Sequence, residues 1–544
     1  MGPQFIQPES KVIPSTILLG LINHLYLNRF EPKSADGPLL ALIIQPIALL
    51  LALAVPLSIP NIFTAYSAFL STLASSVVIY RLSPWHPLAH IPGPRLYKIS
   101  KFWSAWICAS GKQHRVNKAL HDKYGPFLRT GPNEVSIIHA DGVKAVLGTG
   151  GFQKGNYYEP RSDPKLNTRS LLSLRGDAHA NRRKIWNRGL STESVQEYES
   201  IVAKRVSQLS DCLHGLSGNK VNLAEWIGYF TFDVMGDMAF GGGFEMMRDG
   251  GDRDGLWTLL NNGAKNLAVI SHVPWLAPTL SHLPSMAKSI TKLRSFGATC
   301  AANRIKNGSR VKDLWYHLTD EAGLEKQKPT FQEVVADGVL SIVAGSDTTS
   351  TAISCFMWFI LRNPEMYRRV QAEVDYVYGE GDSTLDSSKH SELCFLAACL
   401  NEAMRLQPPV LTNGSRRVPS GGAKIIGACF IADGTEISIP PYSLHRNPEN
   451  FSSPELFDPD RWLRQHSSDE IFNAAAFVPF SYGAANCVGK PLAWREMLMV
   501  TSTLLKRFDF RFAKAFESEQ WADSFHDAFV TSLGSPLLVE VTLR

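Results

Sequence analysis

Three apolar segments fill the first 80 residues, and they constrain the fold more than any other feature of the chain. Residues 39–59 and 62–80 carry no charged side chain, while residues 13–30 are interrupted by Asn23, His24 and Asn28. A membrane-spanning helix needs about 20 mostly apolar residues, and the second and third segments meet that length. A signal peptide would begin with a basic region, which this chain lacks. The pattern favours a membrane anchor of two or three spans over a buried hairpin of a soluble core.

Basic residues and prolines set the limits of this anchor. Arg29 and Lys33 follow the first segment, and Arg81 follows the third. Because short basic loops stay in the cytosol, both ends of the 39–80 pair are expected to face it. The proline-rich residues 83–94 predict a stiff extended hinge, since proline fixes φ. We therefore expect an anchor over residues 1–85 and a globular domain over residues 86–544.

The composition excludes several classes of protein. Hydrophobic residues make up 44% of the chain and charged residues 19%, which is too apolar for a disordered chain. The net charge of +5 is too small to indicate a nucleic-acid-binding protein. The eight cysteines form no C-x-x-C pair, so a zinc ribbon is excluded and reduced thiols are expected. Long periodic segments at 331–361 and 393–406 predict a mainly α fold. Short β signals occur at 135–139, 424–426, 436–439 and 537–543.

The loop before a predicted helix near the C-terminus carries the sharpest chemical signal. Cys487 lies at its end, after Phe480 and Gly483 and just before Gly489. Amides at the start of a helix stabilise a thiolate, and glycines allow the backbone to approach a flat, bulky group. A cysteine thiolate is one of the axial ligands that haem iron takes in proteins. An ordinary buried cysteine is the alternative for a motif of this kind on its own.

A second signal lies inside the long predicted helix 331–361, at Ala344-Gly345-Ser-Asp347-Thr348. Small and β-branched polar residues are poor helix formers. The Thr348 hydroxyl can bond back to the Ala344 carbonyl and open the helix locally. Ala344 and Gly345 would then leave a groove for a flat cofactor and a diatomic ligand, with Asp347 and Thr348 passing protons. A kinked core helix is the alternative.

A third signal is the pair Glu402 and Arg405, three residues apart on one helix face. Such pairs are usually solvated, but the helix around this one is apolar, which indicates burial. A buried pair of this kind requires further hydrogen-bond partners. Arg461, in a predicted loop rich in proline and aspartate, could supply them.

The order and spacing of these motifs resemble those of the cytochrome P-450 haem-thiolate monooxygenases, and the resemblance covers roughly residues 86–544. It implies a mainly α P-450 fold with a small β-rich region. The segment Phe232-Asp-Val-Met-Gly236 and the hinge Ile91-Pro-Gly-Pro94 resemble the membrane-bound, fungal-type members.

The resemblance also assigns expected roles. Cys487 resembles the axial ligand of haem b iron, Thr348 the hydroxyl that holds dioxygen, and Asp347 the proton source. Glu402, Arg405 and Arg461 resemble a structural triad behind the haem. The remaining residues expected to contact haem are Phe480, Gly483 and Gly489 in the cysteine loop, and the propionate partners His179, Arg183 and Arg416. Ala485 departs from the pattern, because the family usually has Arg or His there to pair a propionate.

The implied function is insertion of one oxygen atom from O2 into a lipophilic small molecule, such as a terpenoid, in secondary metabolism. The electrons would come from NADPH through a separate NADPH-cytochrome reductase, since no G-x-G-x-x-G motif follows a strand. The expected location is the endoplasmic reticulum membrane, with the catalytic domain facing the cytosol. The alternatives are a haem-thiolate isomerase or dehydratase that does not use O2, and a non-catalytic membrane haem-binding protein.

Overall fold

Helices form most of the structure. The structure is a computed structural model, and it describes residues 8–162, 168–242, 244–253, 255–308, 311–465 and 470–544. The α-helices are α1 (Val12–Arg29), α2 (Asp36–Ala52), α3 (Ile59–Leu82), α4 (Arg95–Ile99), α5 (Lys101–Ala109), α6 (Gln113–Tyr124), α7 (Ala140–Gly142), α8 (Gly176–Gly189), α9 (Thr192–Glu197), α10 (Glu199–Gly215), α11 (Leu223–Phe240), α12 (Met246–Asp249), α13 (Leu256–Ser271), α14 (Ala277–Leu280), α15 (Pro284–Asn307), α16 (Leu314–Leu318), α17 (Phe331–Leu361), α18 (Pro364–Val377), α19 (Cys394–Leu406), α20 (Pro441–Leu444) and α21 (Lys490–Arg507).

The strands are short. They are β1 (Phe127–Gly131), β2 (Glu134–Ile137), β3 (Gln153–Lys154), β4 (Lys220–Asn222), β5 (Arg416–Arg417), β6 (Lys424–Ile426), β7 (Cys429–Ile431), β8 (Glu436–Ser438), β9 (Phe508–Phe512), β10 (His526–Ala528), β11 (Val530–Ser532) and β12 (Leu538–Leu543). The largest sheet has the order β1-β2-β8-β5-β3, and a second has the order β4-β12-β9. The predicted mainly α fold with minor β is confirmed, and each of the four short β signals coincides with a strand.

The N-terminal apolar sequence folds as three helices with boundaries that differ from the predicted ones. The segment predicted over 39–59 leaves the helical conformation after Ala52, and α3 begins at Ile59. Ser58 caps α3, and Pro60 lies in the first turn, where a missing amide hydrogen costs nothing. Within the described residues, α3 is the helix that is long and apolar enough to cross a membrane, and α2 is apolar but shorter.

The long helix α17 is the central element of the core, and its bounds are the predicted ones. Thr330 and Glu333 form a reciprocal capping box at its start, and Pro364 follows shortly after its end. Helix α11 packs along α17, and buried residues of both helices belong to the main hydrophobic cluster. This packing fixes the middle of α17, where residues 344–348 lie, against one side of the site.

Candidate functional site

A cavity of about 740 Å3 lies between α17 and the loop that precedes α21. Its walls also include residues of α8, α13, α15, β3 and β5. Ligand pockets in proteins typically have volumes of about 300–1,000 Å3, so this cavity has the size of a binding site. Cys487 lies deep in the protein, but its side chain is exposed to the open cavity.

The loop before α21 holds Cys487 by backbone hydrogen bonds. The Cys487 amide donates to the Phe480 carbonyl at 2.8 Å, and the Asn486 amide donates to the Gly483 carbonyl at 3.1 Å. Phe480 and Gly489 line the cavity beside the cysteine. A Cβ atom on Gly489 would meet only the Cys487 sulfur, at 3.8 Å, among the described atoms. The backbone at Gly489 is therefore open to a bulky group, as predicted.

Gly483 has a different use from the predicted one. It does not line the cavity, and its φ of +74° lies in the left-handed region. A Cβ atom there would lie 2.1 Å from the Leu147 carbonyl oxygen. Gly483 therefore allows the cysteine loop to approach the backbone at residues 147–148, instead of making room for a cofactor.

The electrostatic environment of Cys487 contains opposing effects. Burial raises the pKa of its thiol, while the backbone amides of Gly489 and Lys490 and the charges of Arg183 and Lys490 lower it. The amides are those that the start of α21 supplies. A metal ion would add the remaining driving force for the thiolate, since a coordinating thiol is deprotonated.

Thr348 faces the cavity from α17. Its hydroxyl donates to the Ala344 carbonyl at 2.7 Å, as predicted, but α17 remains a continuous α-helix through this turn. Ala344 and Gly345 also line the cavity. A Cβ atom on Gly345 would lie 2.5 Å from the Met235 sulfur, so this glycine serves the packing of α11 on α17 as well as the cavity wall.

Asp347 is turned away from this cavity. It borders a second, smaller cavity of about 210 Å3, together with Glu225, Trp257 and Asn261. The Trp257 indole donates to the Asp347 carboxylate at 3.3 Å. Burial raises the pKa of Asp347 to about 6, against the lowering effect of this hydrogen bond. The two residues that were predicted to act together thus face different cavities.

The predicted triad is fully buried and completely bonded. Arg405 donates two hydrogen bonds of 2.9 Å to the two oxygens of Glu402, and Arg461 donates a third at 3.0 Å. The Trp462 indole and the Asp458 amide complete the shell of Glu402, both at 3.0 Å. The solvated alternative is therefore wrong. Arg461 lies in a short 3-10 helix, Pro459–Trp462, and not in an irregular loop.

Four basic side chains line one part of the cavity: His179 and Arg183 of α8, Lys154 of β3 and Arg416 of β5. Burial and the nearby charges of Arg416 and Arg183 lower the pKa of Lys154 to about 7. Burial and the charges of Lys154, Arg183 and Arg416 lower the pKa of His179 to about 4. These groups repel one another, so an anion bound among them would be strongly stabilised.

Arg416 supplies a direct test of fit for that anion. Its side chain is 7% exposed, and its Nε has no hydrogen-bond acceptor among the described residues. A buried donor without a partner costs stability unless a ligand satisfies it. Ala485 lines the same cavity and supplies no charge. A haem with two propionates fits this arrangement, with Cys487 available to its iron.

Sequence reasoning missed Lys154 and Glu496. Lys154 is opposite Arg416 in the β3–β5 ladder, a pairing that joins residues far apart in the sequence. Glu496, one turn and a half into α21, lines the cavity, and its Oε1 has no hydrogen-bond partner among the described residues. Burial raises the pKa of Glu496 to about 8. Its position nine residues after Cys487 is the signal that could have identified it.

Comparison with known proteins decides the family. The profile of the family described as Cytochrome P450 matches residues 92–529. This chain belongs to the cytochrome P450 family. The P450 monooxygenase orf5 of Eupenicillium brefeldianum is 32% identical to it over 89% of this chain and 97% of that protein. The P450 monooxygenase FCK2 of Fusarium pseudograminearum is 30% identical over 89% of this chain and 88% of that protein. Tryprostatin B 6-hydroxylase of Aspergillus fumigatus is 29% identical over 86% of this chain and 83% of that protein.

The family settles several of the predictions. The P450 fold, the monooxygenase class of the enzyme and haem ligated by a cysteine thiolate are confirmed. The family also uses O2, a redox partner and lipophilic substrates. The roles of individual residues and the division into residues 1–85 and 86–544 stay predictions.

Proposed function

We propose that this cytochrome P450 is a membrane-bound monooxygenase that inserts one oxygen atom from O2 into a lipophilic specialised metabolite. The single observation that carries the proposal is the cavity itself. It joins the Cys487 thiol and the basic cluster at one end to the Thr348 hydroxyl and a largely apolar wall at α13, α15 and α17. A site that needed only to hold haem would not need this additional apolar space.

Haem, when bound, supplies the redox and oxygen chemistry, and the chain supplies its ligand, its orientation and its protons. Cys487 would ligate the iron, while Arg183, Arg416 and Lys154 would pair with the propionates. Charge-assisted hydrogen bonds of this kind are stronger than neutral ones and fix orientation as well as affinity. The basic cluster would therefore determine which edge of the haem faces α8 and β5.

Proton delivery is the proposed task of Thr348 and Asp347. Because the Thr348 hydroxyl donates to the Ala344 carbonyl, its oxygen can accept a hydrogen bond from a ligand in the cavity. Asp347, with a pKa of about 6, is suited to release and regain a proton near neutral pH. Its carboxylate faces the smaller cavity with Glu225 and Asn261, so protons would be taken up from that side of α17.

The apolar wall supports a substrate with an extended hydrocarbon skeleton. Small and medium apolar side chains form it, among them Ala264, Leu267, Val335, Val339 and Val343. A terpenoid is the substrate class that we propose, because a saturated ring system has few polar groups for such a wall to satisfy. A relative named tryprostatin B 6-hydroxylase supports hydroxylation of a small molecule as the reaction.

The electron donor would be a separate NADPH-cytochrome reductase, and the location would be the endoplasmic reticulum membrane. The apolar helix α3 supports membrane attachment, and Arg81 near its end supports a cytosolic position for the residues that follow. The substrate would then reach the cavity from the lipid phase.

Two measurements on microsomes that contain a reductase test the proposal. The reduced protein should show the red-shifted Soret band of a thiolate-ligated carbon monoxide complex, and Cys487→Ser should abolish it. Cys429→Ser is the matched control, since that thiol lies on β7 and does not line the cavity. With 18O2 and NADPH, a terpenoid product should carry one labelled oxygen atom. A product without label, or an unchanged band in Cys487→Ser, would contradict the proposal.

A further inference from the structure

The first helix, α1, is packed with its polar face inward. Thr16 is fully buried and Asn23 is 8% exposed, whereas Leu18, Ile22 and Leu25 are 59%, 52% and 68% exposed. A helix on the surface of a soluble protein shows the opposite pattern, with its apolar stripe facing the core. Apolar side chains that point outward over a helix of this length indicate a lipid environment.

The contacts of α1 with its neighbours are those of membrane helices. A Cβ atom on Gly20 would lie 3.0 Å from the Phe69 carbonyl oxygen, so α1 and α3 approach closely at this point. The Asn23 amide donates to the Gln45 side chain of α2 at 2.7 Å. Helices in bilayers associate through small residues and through polar side chains that bond across helices. The three helices are thus joined at two independent places.

The segment between α1 and α2 contacts the globular part of the chain at three points. Glu31 forms an ion pair of 2.6 Å with Arg417, and the Thr279 hydroxyl donates to Asp36 at 2.6 Å. The Ala35 amide donates to the Trp275 carbonyl at 2.9 Å. One side-chain ion pair, one side-chain hydrogen bond and one backbone hydrogen bond therefore hold residues 31–36 in place.

These contact points adjoin the walls of the large cavity. Trp275 and Thr279 lie in the connection between α13 and α15, and both of these helices line the cavity. Arg417 follows Arg416, which lines it from β5. A shift of residues 31–36 would therefore be transmitted to two sides of the cavity. This connection ties the N-terminal helices to elements that form the walls of the cavity.

The charges give the orientation. Arg29 and Lys33 lie at the α1–α2 connection, Arg81 lies at the end of α3, and the α2–α3 connection, residues 53–58, has no charge. α1 and α2 do not reach the combined length and hydropathy of α3. At 18 and 17 residues they are nevertheless about 27 and 26 Å long, close to the roughly 30 Å of a hydrocarbon core. The basic ends therefore belong on the side of the globular domain, and the N-terminus belongs on the other side.

We propose that α1, α2 and α3 form one three-span membrane bundle whose cytosolic connection, residues 31–36, braces the connection between α13 and α15, two helices that line the haem cavity. The inference rests on the membrane attachment proposed above and adds a new task for the anchor. The bundle controls the entry of lipophilic ligands as well as the location of the enzyme.

The first experiment tests the three spans. The full-length chain carries an epitope tag at its N-terminus and a second tag at its C-terminus, in sealed microsomes treated with protease. A third tag, inserted after Lys33, lies in the α1–α2 connection. Three spans protect the N-terminal tag, while the tag after Lys33 and the C-terminal tag are digested, and detergent exposes all three. A single span at α3 would also protect the tag after Lys33 and would overturn the three-span bundle. Digestion of the N-terminal tag in sealed vesicles would show that α1 does not span the membrane and would overturn the proposal.

The second experiment tests the brace, with the double variant Glu31→Ala/Asp36→Ala in lipid nanodiscs. Amide exchange over residues 273–283 should rise by roughly tenfold, the effect of losing about 1.4 kcal/mol of local stability. The association rate of a long-chain azole with the haem iron should change at least ~3-fold, while that of imidazole stays constant. Lys33→Ala is the matched control, because that side chain takes part in none of the three contacts.

Unchanged exchange and an unchanged azole rate in the double variant would overturn the brace. Failure of the proposed function is recognised separately. A protein that is no monooxygenase still has a tag topology and an exchange pattern, but it gives no labelled product with 18O2.

Discussion

Removal of Arg416 is the sharpest test of how the site holds haem. Its guanidinium is buried at the cavity wall, and its Nε has no hydrogen-bond partner among the described residues. It belongs to a cluster with Lys154, His179 and Arg183. Among the described residues that line the cavity, Glu496 alone carries a carboxyl group. Burial keeps Glu496 protonated at neutral pH, so it carries no negative charge there. Among the described residues that line the cavity, none therefore neutralises the basic cluster.

The size of the effect follows from the charges. Two opposite charges about 4 Å apart interact by about 4 kcal/mol at an effective dielectric constant of about 20. Loss of one partner of a buried ion pair costs about 3–5 kcal/mol. Arg416→Ala should therefore weaken haem retention by roughly 10²- to 10⁴-fold. Lys154→Met should cost less, because the pKa of Lys154 is already lowered to about 7 and its charge is partial at neutral pH.

The assay is the haem-to-protein ratio from the pyridine haemochrome spectrum, followed by the rate of haem transfer to excess apomyoglobin. Arg511→Ala is the control, since that exposed side chain on β9 pairs with Glu540 and does not line the cavity. Ala485→Arg, added to Arg416→Ala, should restore part of the haem content. Normal haem content and transfer rate in Arg416→Ala and in Lys154→Met would refute the assignment of this cluster to the propionates.

Four further variants test other parts of the site. Thr348→Ala and Asp347→Asn should bind haem but lose more NADPH to peroxide per product. In the wild type the product-to-NADPH ratio should fall as pH rises above about 6, a dependence that Asp347→Asn lacks. Product-to-NADPH ratios equal to that of the wild type would count against both residues. The pKa of Glu496 is about 8 in the folded protein, against an ordinary value of 4.5 in the unfolded chain. The free energy of unfolding therefore falls as pH rises between these two values. Glu496→Gln should remove this loss of stability, which amounts to at most about 3 kcal/mol at pH 7. If urea unfolding gives the same dependence of unfolding free energy on pH in Glu496→Gln and in the wild type, the prediction is wrong. Gly483→Ala should destabilise the fold by about 2 kcal/mol or more because of its positive φ and the clash with Leu147, as measured by thermal unfolding.

Local features of the site could be predicted from the sequence because their causes are local. The bond from Thr348 to Ala344 spans one helical turn, and Glu402 and Arg405 share a helix face by their spacing. The bounds of α17 follow from a capping box at one end and a proline after the other. In each case the physical cause lies within a few residues of the effect.

Other features depend on contacts between distant segments and could not be predicted. The demand for glycine at 483 comes from the Leu147 carbonyl, more than 300 residues away in the chain. Asp347 turns away from Thr348 because Trp257 of α13 offers it a hydrogen bond. The packing of Asn23 in α1 could not be predicted either, because a hydropathy average does not show that Gln45 of α2 bonds its side-chain amide.

A contact between distant segments also bears on the missing cation at Ala485. The family usually places a cation at this position, in the cysteine loop itself, and this chain leaves that wall neutral. In this chain the β3–β5 ladder sets Lys154 beside Arg416 in the basic cluster. A cation in a sheet is held by backbone pairing, whereas one in a loop must be held by its own contacts. Lys154 also donates to the Leu171 carbonyl at 2.8 Å, which keeps its ammonium group at the cavity wall. We therefore expect Lys154 to supply a charge for a propionate from a strand, where Ala485 supplies none from the cysteine loop.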